Sequence, residues 1–174
     1  MLKISYEMGF LSNHYMRLDL RDFCIKQSGK WHYGDAFDVY AAKGGVFCAA
    51  IHDGTVVGST SSVPTEHNDV IADVIGAADW LIGNGYALEE TDYPAMTYVA
   101  PEYRGNGIAN KMHKIKFQHQ IQSGFKQTLN FAFETQSARD YYSHLGNLQD
   151  TGLPDFCNQP IFITPLRDAL LSVS

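Results

Sequence analysis

Basic residues are scarce in this chain of 174 residues, where 13 Lys and Arg stand against 19 Asp and Glu for a net charge of −6. Nonspecific nucleic-acid binding relies on a positive field, so this balance argues against it. Cysteine is scarcer still. Cys24, Cys48 and Cys157 are scattered, with no Cys-x-x-Cys, which fits free thiols in a reducing compartment rather than a disulfide framework. No apolar run approaches the roughly 18 residues of a membrane span. Charge interrupts the opening Met-Leu-Lys-Ile-Ser-Tyr-Glu, so no signal-peptide core forms there. The expectation is a cytoplasmic chain with neither nucleic acid nor membrane as partner. Its length suits a single domain over 1–174, with a real core and no need of disulfides.

Several catalytic signatures are also missing. Histidines 14, 32, 52, 67, 113, 119 and 144 show no His-x-x-x-His pairing, so no metal site is expected. There is no Gly-x-Ser-x-Gly elbow for a serine hydrolase. The glycine turn at 104–107 lacks the Gly-Lys-Ser/Thr ending of a P-loop and is not Gly-x-Gly-x-x-Gly.

What is present alternates between the strand and helix periods. Residues 2–6 suit a short strand. Ser12 or Asn13 can cap a helix over 13–28, with Met16, Leu20, Phe23 and Gln27 on one face and Gly29 as its stop. Asp35 can cap a second short helix ended by Gly44-Gly45. Val46–Ile51 and Thr55–Ser61 flank Asp53-Gly54, a type I′ hairpin signal. From Asn68 a helical pattern carries Ile71, Val74, Ile75, Ala78 and Ile82 on one face, and Gly83 and Gly85 close it. Leu88–Tyr93 is acidic and irregular, and Pro94 marks a boundary. A strand at 95–100, a helix at 106–123 striped by Ile108, Met112 and Ile115, and a strand at 127–133 form a strand–helix–strand unit with a parallel pair. A helix over 137–145, short strands at 148–150 and 159–164, and a frayed helix over 166–173 complete the chain.

The stretch Thr97-Tyr-Val-Ala-Pro-Glu-Tyr-Arg-Gly-Asn-Gly-Ile-Ala109 carries the chemistry. It runs from a strand through a glycine turn into a helix N-terminus. Glycine admits close backbone approach. The first helical N–H groups lack internal partners and carry the positive end of the dipole. A phosphate satisfies both, so this turn is a candidate cradle for a nucleotide-like pyrophosphate.

Arg104-Gly105-Asn106-Gly107-Ile108-Ala109, preceded by Val99-Ala100-Pro101, resembles the cofactor loop Gln/Arg-x-x-Gly-x-Gly/Ala of the GCN5-related N-acetyltransferase (GNAT) superfamily. A second stretch is similar to the family pattern Asn-x-x-Ala-x-x-Leu-Tyr-x-x-x-Gly-Phe. Ala138, Tyr142 and Gly146 match it in register, whereas Thr135, Tyr141 and Asn147 depart from it. The match spans about Ala95 to Gly146. The resemblance implies a mixed α/β (α+β) fold: a central, mostly antiparallel sheet with one parallel, splayed strand pair, flanked by helices. It also implies acetyl-CoA, or another acyl-CoA, as co-substrate. The 104–109 backbone would bind the pyrophosphate, Tyr98 and Val99 would pair with the pantetheine arm, and Thr135 and Ala138 of the second motif would also bind the cofactor. The thioester would lie between the strands at 95–100 and 127–133.

The implied reaction is acyl transfer to a primary amine by direct attack in a ternary complex. A lysine-like amine has a pKa of about 10.4 and must lose its proton before it attacks. Attack builds an oxyanion, which a strand amide near Val99 would stabilise. Tyr142 occupies the family's proton-donor position, as general acid toward the leaving thiolate. The base is open. Asp92, Glu90, Glu89, Glu66 and His67 are the candidates, each also readable as a solvated surface group. Lys111, Lys114, Lys116, His113 and His119 read as the outer face of the cofactor helix, where a Lys either meets a CoA 3′-phosphate or is simply solvated. Trp31, His32, Tyr33, Phe37 and Tyr40 either pack a core or line an acceptor pocket.

The segment at 63–93 is an insertion relative to the minimal family pattern. Its apolar face would act as a lid, cover the sheet or form a homodimer surface. The acceptor expected is a small-molecule or peptide amine. Two rivals stand beside this reading: a longer-chain acyltransferase fed by acyl-CoA or acyl carrier protein, and a non-catalytic CoA-binding sensor.

Overall fold

The structure, a computed structural model, describes residues 2–31, 33–67, 76–131, 146–154 and 160–173. The strands are β1 (Ser5–Phe10), β2 (Val46–His52), β3 (Thr55–Pro64), β4 (Thr91–Val99), β5 (Gln127–Phe131), β6 (Gln149–Pro154) and β7 (Pro160–Pro165). The described helices are α1 (His14–Ser28), α2 (Tyr33–Ala42), α3 (Ala77–Gly83), α4 (Ile108–Gln122) and α5 (Leu166–Ser172). The seven strands form one sheet in the order β1-β2-β3-β4-β5-β7-β6. Its recorded pairs are antiparallel except β4–β5, which is parallel. The expected mixed fold with one parallel pair is what the chain adopts. No helix among the described residues is long and apolar enough to cross a membrane.

The chain divides into two compact units, one of residues 1–63 and 94–116, the other of 64–93 and 117–174. In the first, Asn13 caps α1 by accepting from the Met16 N–H at 3.3 Å, and Gly29 closes that helix in the left-handed conformation. Such a cap contributes about 1 kcal/mol. Leu20, Phe23 and Cys24 are the buried residues of α1. They meet Leu11, Phe37, Phe47, Ala49, Met96 and Ala100 in one apolar cluster. The β2–β3 turn has Asp53 at φ 48° and Gly54 at φ 76°, the type I′ geometry expected of Asp-Gly. A second cluster joins Cys48, Ala50 and Val57 to Ile108 and Met112 of α4. Gly58 makes that approach possible, since a Cβ there would sit 3.1 Å from Met112 Cε and 3.2 Å from Ile108 Cγ2.

In the second unit, Ala77 and Leu81 of α3 pack on Leu129, Ile161 and Ile163 of β5 and β7. Trp80 and Tyr86 stack at 5.8 Å between centroids, beside the same cluster. The insertion's described helix therefore covers the sheet. Its apolar phase differs from the expectation: Leu81 is buried and Ile82 is 61% exposed. The helix starts after Gly76, so the phase is set by Ala77 and Leu81; the opening at 68–75 lies outside the described residues. Leu166, Ala169 and Val173 pack with Phe117, which docks α5 rather than leaving it frayed.

Pro94 corrects a second expectation. It lies inside β4, which begins at Thr91, four residues before the expected start. Proline has no N–H to give a ladder. Among the described residues the parallel register is Thr91↔Gln127 and Asp92↔Thr128, and Pro94 falls just beyond it. The expected helix at 137–145 lies outside the described residues.

Candidate functional site

The glycine turn lies wholly in the first unit. β4 ends at Val99, and a single 3-10 turn, Pro101–Tyr103, carries the chain to Arg104. Ala100 N–H bonds the Val57 carbonyl at 2.9 Å, Tyr103 N–H the Ala100 carbonyl at 2.9 Å, and Arg104 N–H the Pro101 carbonyl at 3.2 Å. Gly105 and Gly107 sit at φ 77° and 71°, a region where a side chain is strained. A Cβ added at either would meet nothing within 4 Å, so both backbones face open space. Asn106 Nδ2 donates to the Tyr103 and Arg104 carbonyls at 3.0 and 3.2 Å, stapling the turn from inside.

α4 starts at once after this turn. Its first intrahelical bond joins Lys111 N–H to the Gly107 carbonyl at 3.0 Å. The N–H groups of Ile108, Ala109 and Asn110 thus precede any helical acceptor. No acidic residue stands in the first turn of α4, so nothing of the helix's own neutralises the positive end of its dipole. Ile108 is buried at 3% and anchors the turn to the Cys48, Ala50, Val57 and Met112 cluster. The expected apolar stripe holds, with Ile108 and Met112 buried and Ile115 packed beside them.

Tyr98 and Val99 are half-buried and pack into different clusters. Tyr98 joins that of Leu11, Phe47 and Met96, and Val99 that of Val57, Ile108 and Met112. Arg104 is exposed, and its Nε donates to the Val99 carbonyl at 3.0 Å. Tyr98, Val99 and Arg104–Ala109 are therefore together in one unit. Thr135, Ala138 and Tyr142 lie outside the described residues.

The outer face expected of α4 is corrected at two positions. His113 and Lys116 are fully buried, while Lys111 is exposed and Lys114 half-buried. With Gln120, also buried, they follow the 3–4 spacing of a helix face adjacent to the apolar stripe. His113 belongs to a polar chain that residue type alone does not announce. Thr97 Oγ1 lies 2.8 Å from Thr60 Oγ1 and 3.3 Å from His113 Nε2, linking β3, β4 and α4. Burial, and then the positive charge of Lys116, push the His113 pKa well below the usual imidazole value, so this ring is neutral near pH 7.

A second link is His52 Nδ1 with the Tyr103 hydroxyl, 2.9 Å apart, their rings edge to face. It fastens the hairpin to the residue preceding Arg104. The signal for it was the lone aromatic within Pro101–Tyr103.

The candidate bases separate. Asp92 is 1% exposed and so is not the solvated group expected. Glu90 is held by Lys126 at 2.7 Å. Glu89 and Glu66 are exposed; the side chain of His67 lies outside those described. Of the aromatic group, Phe37 is core and Tyr40 packs on it, whereas Trp31 is 76% exposed. Burial raises the thiols of Cys24 and Cys48 to about 12, so both are inert as nucleophiles at neutral pH.

A search of curated proteins finds no match. Solved structures do match in fold. A GNAT family N-acetyltransferase, YhbS from Escherichia coli, in complex with CoA, superposes with a TM-score of 0.69 at 14% identity, over 98% of this chain and 86% of that one. A CoA-dependent acyl-homoserine lactone synthase, BjaI, with MTA, gives 0.69 at 15% identity, over 98% and 88%. An aminoglycoside acetyltransferase, meta-AAC0020 from an uncultured soil metagenomic sample, in complex with sisomicin, gives 0.59 at 13%, over 80% and 85%. The profile of the Acetyltransferase (GNAT) family matches residues 13–146, which include the whole of the glycine turn and β4. The chain belongs to the GNAT acetyltransferase family.

Proposed function

We propose that this protein is an N-acyltransferase that moves an acyl group, in the first place acetyl, from acyl-CoA to a primary amine by direct attack in a ternary complex. The observation that carries this reading is the cradle. An anion site needs donors without internal partners and room to approach them. The N–H groups of Ile108, Ala109 and Asn110 precede the first helical bond, and Gly105 and Gly107 open onto free space. The residues present therefore fit a pyrophosphate.

When bound, acyl-CoA supplies an activated thioester carbonyl. The chain supplies the rest. The backbone of Arg104–Ala109 holds the diphosphate, and the Tyr98–Val99 backbone orients the extended arm. Thr135 and Ala138 are proposed as further donor contacts. A fixed N–H on β4 near Val99 receives the charge that develops on the carbonyl oxygen, the term that usually dominates such catalysis. Tyr142 acts as general acid for the departing thiolate. The amine reaches its reactive form by losing a proton through a water path, because no carboxylate lies between Ala95 and Ala100. The acceptor is a small-molecule or peptide amine; meta-AAC0020, with its sisomicin complex, supports the small-molecule class. A second reading, a longer acyl chain, draws support from BjaI, of which a complex with SAM and isopentyl-CoA is also similar in fold.

Thermal shift with CoA, acetyl-CoA and longer acyl-CoAs, followed by thiol release over an amine panel, tests the proposal. Ligand at about 100 times Kd should stabilise the protein by about 2.7 kcal/mol. Tyr142→Phe should keep that stabilisation and lose about 100-fold or more in turnover. Stabilisation without thiol release favours a CoA sensor. No stabilisation by any CoA species sinks the donor assignment.

A further inference from the structure

The Arg104 side chain is not simply a positive charge over the cradle. Its Nε is committed to the Val99 carbonyl, 3.0 Å away. Val99 is the last residue of β4, and Arg104 is the first of the glycine turn. We propose that Arg104 is a positioning residue: through Nε it ties the end of the strand edge to the start of the anion cradle and sets the spacing between them. The proposal rests on the donor-site reading above, in which the edge takes the extended arm and the cradle takes the diphosphate.

The connecting segment explains why such a tie matters. Between Val99 and Arg104 the chain makes one 3-10 turn, held by the short-range bonds Tyr103 N–H to Ala100 and Arg104 N–H to Pro101. Asn106 fastens to Tyr103 and Arg104, and His52 holds the Tyr103 hydroxyl. These bonds shape the turn. Among the described residues, the Arg104 bond is the one of these that reaches back to β4 itself. A carbonyl oxygen has more than one lone pair, so the tie and an amide of the donor arm can share Val99. The competing role is charge. No carboxylate pairs with Arg104 among the described residues, so its guanidinium could instead act on a phosphate through Nη.

Covalent geometry separates the two roles. Glutamine carries its Nε2 the same number of bonds from Cα as arginine carries Nε. Lysine keeps the charge but places a methylene there. Arg104→Gln, Arg104→Lys and Arg104→Met therefore retain the donor, the charge and neither. The first measurement is hydrogen exchange of the 100–106 backbone amides without ligand. Gln should match wild type, while Lys and Met exchange faster. The second is calorimetric binding of CoA, of pantetheine and of adenosine 3′,5′-bisphosphate. Gln should bind CoA within about threefold of wild type, and Lys and Met about tenfold more weakly. In Met the two fragments, each filling one half of the site, should keep their affinities, because the tie sets how the halves combine and not either half alone.

A Lys variant that binds like wild type while Gln fails would overturn the proposal in favour of the charge. Equal exchange in all four proteins would overturn it outright. If wild type binds no CoA, the donor site is wrong, and the exchange data alone then decide whether the tie exists.

Discussion

Gly107 shows how one residue type commits a backbone. Its φ of 71° and the empty space beside it mean that a side chain there adds strain and also intrudes where an anion would sit. A β-branched residue in that conformation costs on the order of 1–2 kcal/mol. Gly107→Val should therefore lower Tm by a few degrees and abolish stabilisation by CoA, read in a single thermal-shift titration. A variant that melts normally and still responds to CoA would remove Gly107 from the site. This part of the site was legible because glycine adopts such geometry without the steric cost that a side chain brings. His113 and Lys116 were not. Polar residues on a helix are ordinarily solvated, and nothing local marks that α4 is covered on a face wider than its apolar stripe. Thr97, which meets His113, and Thr60, which meets Thr97, come from other strands and lie 16 and 53 positions from His113 in sequence, beyond the reach of a pattern within the helix.

Elements were legible where both ends carried stop signals. Asn13 and Gly29 bracket α1, and Asp53-Gly54 fixes the hairpin. β4 runs through Pro94, which ordinarily ends a regular ladder, because among the described residues the parallel register it would break ends at Asp92. The phase of α3 departs from the sequence pattern because that pattern runs from Asn68, whereas this helix starts after Gly76. With Leu81 fully buried against Leu129, Ile161 and Ile163, α3 is a sheet-covering helix. Leu81→Ala should then cost about 2–5 kcal/mol, measured by urea unfolding at low temperature. Elution volume on a sizing column and the Kd for CoA should stay at wild-type values. A shift to smaller size would restore the dimer reading, and altered acceptor preference without lost stability would restore the lid.

At the scale of the whole molecule, the fall of stability below neutral pH depends on a group that the charge count leaves out. The net charge of −6 takes histidine as neutral. Unfolded, His113 titrates near the ordinary value of about 6.5. Folded, burial and the Lys116 charge hold its pKa well below that. Between the two values the unfolded chain binds the extra proton, so stability falls as pH falls, by at most about 1.4 kcal/mol per pH unit from this group. Above about 6.5 both states are neutral at this site and its contribution is flat. The window overlaps the pI of about 5.5, where lost net charge lowers solubility, so the measurement must be equilibrium unfolding at low protein concentration and not turbidity. Wild type should lose stability on going from pH 7 toward pH 5.5. His113→Gln should be less stable at pH 7, because the Thr97 contact is disturbed, and should show a shallower slope over the same interval. Parallel curves for the two proteins would assign the acid sensitivity to other groups, and would mean that burial of His113 costs the fold little as the pH drops.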